Sequence, residues 1–133
     1  MKKYVFLFLT AIALCLSVAS CSNNPKALIQ AETTAANLQC PQEIGNGLTM
    51  TKVEYTGLYI VYYFKGSDGM YFSQDNVTAE VKNQIVQTLR LQAESNVSVK
   101  NLLSALKKAG VGMIYHYYAS DSFMDIVIDA NEL

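Results

Sequence analysis

The stretch Val111-Gly112-Met113-Ile114-Tyr115-His116-Tyr117-Tyr118, then Ala119-Ser120-Asp121-Ser122, then Phe123-Met124-Asp125-Ile126-Val127-Ile128-Asp129 decides the fold class. Two runs of aromatic and β-branched residues flank a short polar break, which is the pattern of an antiparallel hairpin turning near Ser120-Asp121. Alternation fixes its register. Tyr117 faces Met124, Tyr115 faces Ile126 and Met113 faces Ile128 on one side. On the other side His116 faces Asp125 and Tyr118 faces Phe123.

Working backwards from this hairpin, Gly110 closes a helix that Ser98 is expected to cap, with Val99, Leu102, Leu103 and Leu106 as its apolar stripe. A helix before it is announced by Val77, Val81, Ile85 and Leu89 and is expected to run to about Ala93. Gly66-Ser67-Asp68-Gly69 breaks the pattern ahead of that helix. Residues 48–56 and 58–64 read as two further strands joined at Thr56-Gly57. Pairing across that joint sets Tyr55 against Leu58, Val53 against Ile60, Thr51 against Tyr62 and Thr49 against Phe64 as one apolar face. Glu54 with Tyr59, Lys52 with Val61 and Met50 with Tyr63 fall on the other. Gly45-Asn46-Gly47 is turn chemistry, and Cys40-Pro41 ends a first helix that starts at Pro25 or Lys26 with Leu28, Ala31, Ala35 and Leu38 as its stripe. The expected fold is therefore α+β in the order α-β-β-α-α-β-β, three helices with a mainly antiparallel four-stranded sheet.

The first twenty residues stand apart. Lys2 and Lys3 precede an apolar run over 4–19, and Val18-Ala19-Ser20-Cys21 puts small residues directly before a cysteine. The run is short for a transmembrane helix. It resembles a bacterial lipoprotein signal, which implies that Cys21 is acylated with fatty acid such as palmitate and becomes the mature N-terminus. Residues 1–20 are then a signal peptide, 21–25 a lipidated cysteine with a short tether, and 26–133 one domain. Several acyl chains, at about 0.8 kcal/mol per buried CH₂, make a durable membrane anchor. Ser22 rather than an acidic residue after the cysteine fits sorting to the outer membrane, and Ser22-Asn23-Asn24 lacks an acidic export cluster, so the periplasmic face is expected.

Composition narrows the function. Half the residues (51%) are apolar, and nine tyrosines with five phenylalanines supply burial, so a disordered chain is excluded. Ten basic residues against eleven acidic ones, with no basic run longer than two, exclude a polybasic reader of nucleic acid. Of three cysteines, Cys15 leaves with the signal and Cys21 carries lipid, so Cys40 is left without an intrachain disulfide partner. Neither a cofactor nor a metal is expected: phosphate-loop, dinucleotide and C-x-x-C motifs are absent, and one histidine with one free cysteine does not make a usual zinc site.

Asn37-x-x-Cys40-Pro41, an aromatic hairpin, and Gly110-Val111 leading into Tyr115-x-Tyr117 together resemble a group of small secreted proteins and lipoproteins of Gram-negative bacteria with no assigned activity. The resemblance implies the fold and the compartment, and it transfers no functional residue.

Three readings of chemistry remain. Cys40 with His116 is the pair from which a small hydrolase or thiol enzyme would be built, against which stands a packed thiol at a helix C-terminus. His116 opposite Asp125 is a cross-strand acid-base pair. The third is the second sheet face, which collects Met50, Tyr59, Val61, Tyr63, Ile114, Tyr118, Phe123 and Val127 beside Lys52, Glu54, Asp125 and Asp129. A half-solvated sheet is normally more polar. With three helices available, a covering helix is the expectation; the alternative is a surface for a partner, a ligand or a second copy of the chain, with Tyr59, Tyr63, Tyr118, Phe123 and His116 as the contact residues. The expected function is a non-enzymatic module held at the envelope that binds a protein, peptide or glycan near the membrane, or an inhibitor or accessory subunit of an envelope complex. Asn76-Val77-Thr78 and Asn96-Val97-Ser98 match a glycosylation sequon and are read as helix-start chemistry.

Overall fold

The computed structural model describes residues 24–133; the expected signal, Cys21 and most of the tether lie outside the described residues. Three helices and one five-stranded mixed sheet follow in the order α1 (Pro25–Leu38), β1 (Gln42–Gly45), β2 (Leu48–Tyr55), β3 (Tyr59–Gly66), α2 (Ala79–Ser95), α3 (Val97–Ala109), β4 (Gly112–Tyr118) and β5 (Phe123–Ile128). A short 3-10 turn, Gln74–Asn76, precedes α2. The α+β class stands, and the four-stranded antiparallel sheet is corrected. The strand order is β1-β2-β3-β4-β5, and the central pair β3 and β4 is parallel. A parallel pair requires a crossover, and α2 with α3 supplies it.

The additional strand β1 carries a single large apolar residue, Ile44, too little for a pattern. Its hairpin is written in the turn instead: Asn46 and Gly47 both have positive φ (57° and 79°) and close Gly45 onto Leu48, the Asn-Gly geometry that matches strand twist. The β2 to β3 register also differs from the alternation reading. The two-residue turn is Gly57-Leu58, with Gly57 at φ 98°, so Tyr55 pairs with Ile60 and Val53 with Tyr62. A bulge between Met50 and Lys52 then shifts the register once more and turns Leu48 and Met50 into the core. Met50 therefore leaves the second face, while Thr49 and Thr51 are not core residues. The β4 to β5 register is the one alternation gives, with His116 opposite Asp125 and Tyr118 opposite Phe123.

Helix termini follow local chemistry. Asn24 accepts from the first amides of α1, and Thr78 accepts from the Val81 amide at the start of α2. Asn96, not Ser98, caps α3, accepting from the amides of Ser98 and Val99; Gly110 ends that helix in the left-handed region. The stripe expected for α1 is displaced. Leu28, Ile29, Glu32, Thr33 and Ala36 are the buried residues, and Leu38 is 81% exposed. The stripes of α2 and α3 hold at Val81, Ile85 and Leu89 and at Val99, Leu102, Leu103 and Leu106.

All three helices contribute to one core with Ile60, Tyr62, Phe64, Met113, Tyr115, Tyr117, Met124, Ile126 and Ile128 from the inner face of the sheet. Its aromatic centre stacks Tyr117 on Phe64 (4.9 Å between centroids) and sets Tyr62 edge-on to Tyr115. The Asn37-x-x-Cys40-Pro41 motif has a structural account. Asn37 Oδ1 accepts from the Val53 amide at 3.1 Å beyond the end of β1, where that amide has no strand partner, and the Cys40 thiol bonds the Ala36 carbonyl (3.5 Å) ahead of a cis bond to Pro41.

The outer edge of β5 is closed in a similar way. The Gln74 carboxamide accepts from the Asp125 amide (2.9 Å) and donates to the Asp125 carbonyl (2.8 Å), standing in for one residue of a sixth strand. Gln74→Ala is expected to accelerate hydrogen exchange at the Asp125 amide several-fold and to cost no more than about 1 kcal/mol of stability. Unaltered exchange there, read by NMR, would show that the clamp does not persist in solution.

Candidate functional site

No helix covers the second face of the sheet among the described residues, so the expected covering helix is overturned. The three helices all lie on the face that carries Tyr62, Tyr115 and Tyr117. The crossover explains this: one connection between parallel β3 and β4 carries both α2 and α3 over the same side of the sheet, and α1 packs against α3.

What remains without a covering helix is an ordered array of rows running across the strands, in which Val61 is itself only 8% exposed. Lys52, Tyr63, His116 and Asp125 form one row through three successive pairings. Thr49, Lys65, Tyr118 and Phe123 form the row beside it, and Glu54, Val61, Ile114 and Val127 the row on the other side. Tyr59 lies across Gly112, where any Cβ would strike its ring and the Ile128 carbonyl. The aliphatic row is thus bounded by tyrosines.

The tyrosine and histidine tips on this face are held. Tyr63 donates to Glu54 (2.8 Å) and Tyr59 to Asp129 (2.7 Å); those hydrogen bonds to carboxylates, first among the causes, raise both phenol pKa values. Tyr118 shares a hydrogen bond with Thr51 (3.1 Å), and Lys52 sits 4.6 Å above the Tyr63 ring. His116 Nδ1 lies 2.6 Å from Asp125 Oδ1, and its ring stacks on Tyr118 with Tyr63 and Phe123 near it. An open hollow of about 570 Å³ over Tyr63, His116, Tyr118 and Phe123 is walled by the turn 119–122. The five residues read from the sequence as contact residues, Tyr59, Tyr63, His116, Tyr118 and Phe123, therefore do share one face, and Phe123 is 59% exposed. Lys52, Glu54 and Thr51 were legible only as face residues or core residues; the later turn brings Lys52 and Glu54 beside Tyr63, and the bulge brings Thr51 to Tyr118.

Cys40 and His116 are not brought together. Cys40 is half-buried against the helix-side core, and burial pushes its thiol pKa up, whereas His116 stands on the opposite face. Among the described residues no group of three or more His, Cys, Asp or Glu is placed to hold a metal ion, and no helix is long and apolar enough to cross a membrane. No protein family, curated protein or solved structure matches this chain.

Proposed function

We propose that this chain is an envelope lipoprotein, anchored through acylated Cys21 to the periplasmic face of the outer membrane, that acts as a non-enzymatic binding or accessory module through its open sheet face. One observation carries the reading of the face: an aromatic and aliphatic surface that no described element covers, whose tyrosine and histidine side chains are fixed by hydrogen bonds to Glu54, Asp129, Thr51 and Asp125. Fixing large amphipathic rings before contact reduces the ordering that binding must supply. An apolar centre with polar margins is also the anatomy of protein interfaces. The anchor rests on Val18-Ala19-Ser20-Cys21.

The test is site-specific photocrosslinking in the full membrane-bound chain. Benzoylphenylalanine at Tyr63, Tyr118 or Phe123 is expected to give covalent adducts, and the same probe at Leu38 or Leu91, exposed on the helices, is not. Adducts from helix positions alone would overturn the assignment of the face. Cys21→Ala is expected to abolish acyl labelling; retained labelling would remove the anchor.

A further inference from the structure

The geometry points to a second copy of this chain as the occupant of the open face, the two sheets stacked face to face about a two-fold axis lying in the interface along the strands, between β3 and β4. This rests on the reading of the face as a contact surface.

The order of residues in the rows is complementary to its own reverse. A two-fold axis in that position lays β2 of one copy over β5 of the other and β3 over β4, while keeping each row over itself. The row Lys52, Tyr63, His116, Asp125 then meets its own reverse: Lys52 faces Asp125 of the second copy and Tyr63 faces its His116. In the next row Lys65 faces Tyr118, a cation over a ring, and Thr49 faces Phe123. In the third Val61 faces Ile114, apolar on apolar, with Glu54 at the rim opposite Val127. An isologous interface demands this kind of self-complementarity. Here the cation sits at one end of the row and the carboxylate at the other, with aromatic rings between them. Within the chain Lys52 stands 3.9 Å from Glu54, whose Oε1 also accepts from the Tyr63 hydroxyl, and Asp125 Oδ1 is engaged by His116, so the contact between copies is made by the exposed ends of Lys52 and Asp125 in addition to these bonds. The carboxylate of Asp129, which accepts from Tyr59, and that of Glu43 on β1 lie at the margins of the stack.

The size of the patch sets the strength. Four strands about 4.8 Å apart and about seven residues long at about 3.3 Å cover roughly 19 by 23 Å, or about 440 Å² a copy in projection. The pair buries on the order of 900 Å², which lies below the range of stable complexes and within that of transient ones. Two anchored copies confined to one membrane surface meet at a raised effective concentration, as linked modules do. Stacking also leaves the helices outward on both sides, giving an aligned two-sheet sandwich.

Exchanging the charges tests the geometry. Within one chain Lys52 and Asp125 are three strand spacings apart, about 14 Å, so an effect of one on the other must pass between copies. The measurement is formation of a covalent dimer by benzoylphenylalanine at Phe123 in the full membrane-bound chain, with the adduct identified by mass. Lys52→Asp alone and Asp125→Lys alone are each expected to reduce the dimer adduct at least about tenfold, because each sets like charges opposite one another. Co-expression of the two variants is expected to restore it, since both contacts are complementary in the mixed pair. Ile114→Glu, which leaves the ends of the row intact and loads the centre of the interface with charge, is expected to abolish the adduct as well, and melting curves establish that each variant folds. A dimer adduct indifferent to all three substitutions, or no recovery in the mixed pair, would overturn the proposed pairing. An adduct with another protein or a glycan and none with this chain would overturn it while leaving the face as a binding surface. Absence of any adduct would overturn both.

Discussion

Truncation of Tyr117 to alanine is expected to cost about 3–5 kcal/mol, whereas the same change at its neighbour Tyr118 is expected to cost less than about 1 kcal/mol. The two residues are adjacent in sequence, identical in chemistry and opposite in environment. Tyr117 is 1% exposed, stacks on Phe64 and touches Phe72 beneath the helices. Removing its ring leaves a cavity in a rigid aromatic cluster that closes poorly. Tyr118 lies on the open face, partly exposed, and its hydroxyl meets Thr51. Urea denaturation of each variant separates the outcomes. Comparable losses at Tyr117 and Tyr118 would mean that something covers the open face in solution, and a loss at Tyr118 that grows with protein concentration would identify that cover as a second copy.

This contrast follows from strand alternation, and it was legible in the sequence for the hairpin of β4 and β5 because both strands are regular and one turn sets their register. In β2 and β3 simple alternation does not hold. The turn there is centred one residue later than Thr56-Gly57, and the bulge at Thr51 reverses the facing of everything before it. Both features depend on backbone conformation, Gly57 at positive φ and an unpaired residue in β2, which a pattern of apolar and polar letters does not register. The strand β1 was missed for another reason. Its sequence is polar, and it is recruited to the sheet edge by the Asn46-Gly47 turn and not by its own burial.

The site was legible in its membership and not in its exposure. Tyr59, Tyr63, His116, Tyr118 and Phe123 fall on one face by alternation alone, and the structure puts them there. Whether a helix lies over them depends on the sense of the β3 to β4 connection. An antiparallel pair of hairpins leaves the three helices free to divide between the faces. A parallel central pair places α2 and α3 together, and α1 joins them by packing on α3. The openness of the face is therefore a consequence of topology, the level at which local sequence patterns carry least information.

Replacing Glu32 with methionine is expected to stabilise the protein by about 1–3 kcal/mol at neutral pH, the cost of a buried polar group that makes no compensating bond. Glu32 lies in the buried stripe of α1 with Leu28, Ile29 and Ala36, is 3% exposed, and its Oε2 has no hydrogen-bond partner among the described residues. Burial raises its pKa, because a dry environment disfavours the carboxylate. The native state consequently binds a proton at a pH where the unfolded chain, with an ordinary value of about 4.3, has lost it. In that window the native state holds more protons than the unfolded state, so stability falls as pH rises. The contribution is fully present below the unfolded pKa and is lost as pH climbs through the raised native value. Denaturation midpoints of the wild-type chain and the Glu32→Met variant should accordingly converge toward acid pH and separate toward neutrality. Glu32→Gln, which keeps the shape and removes the charge, should flatten the same slope while recovering only part of the stability, since its amide still needs partners. Parallel pH profiles for wild type and both variants would mean that the carboxylate is solvated or paired in solution, and the apolar stripe of α1 would then have to end before it.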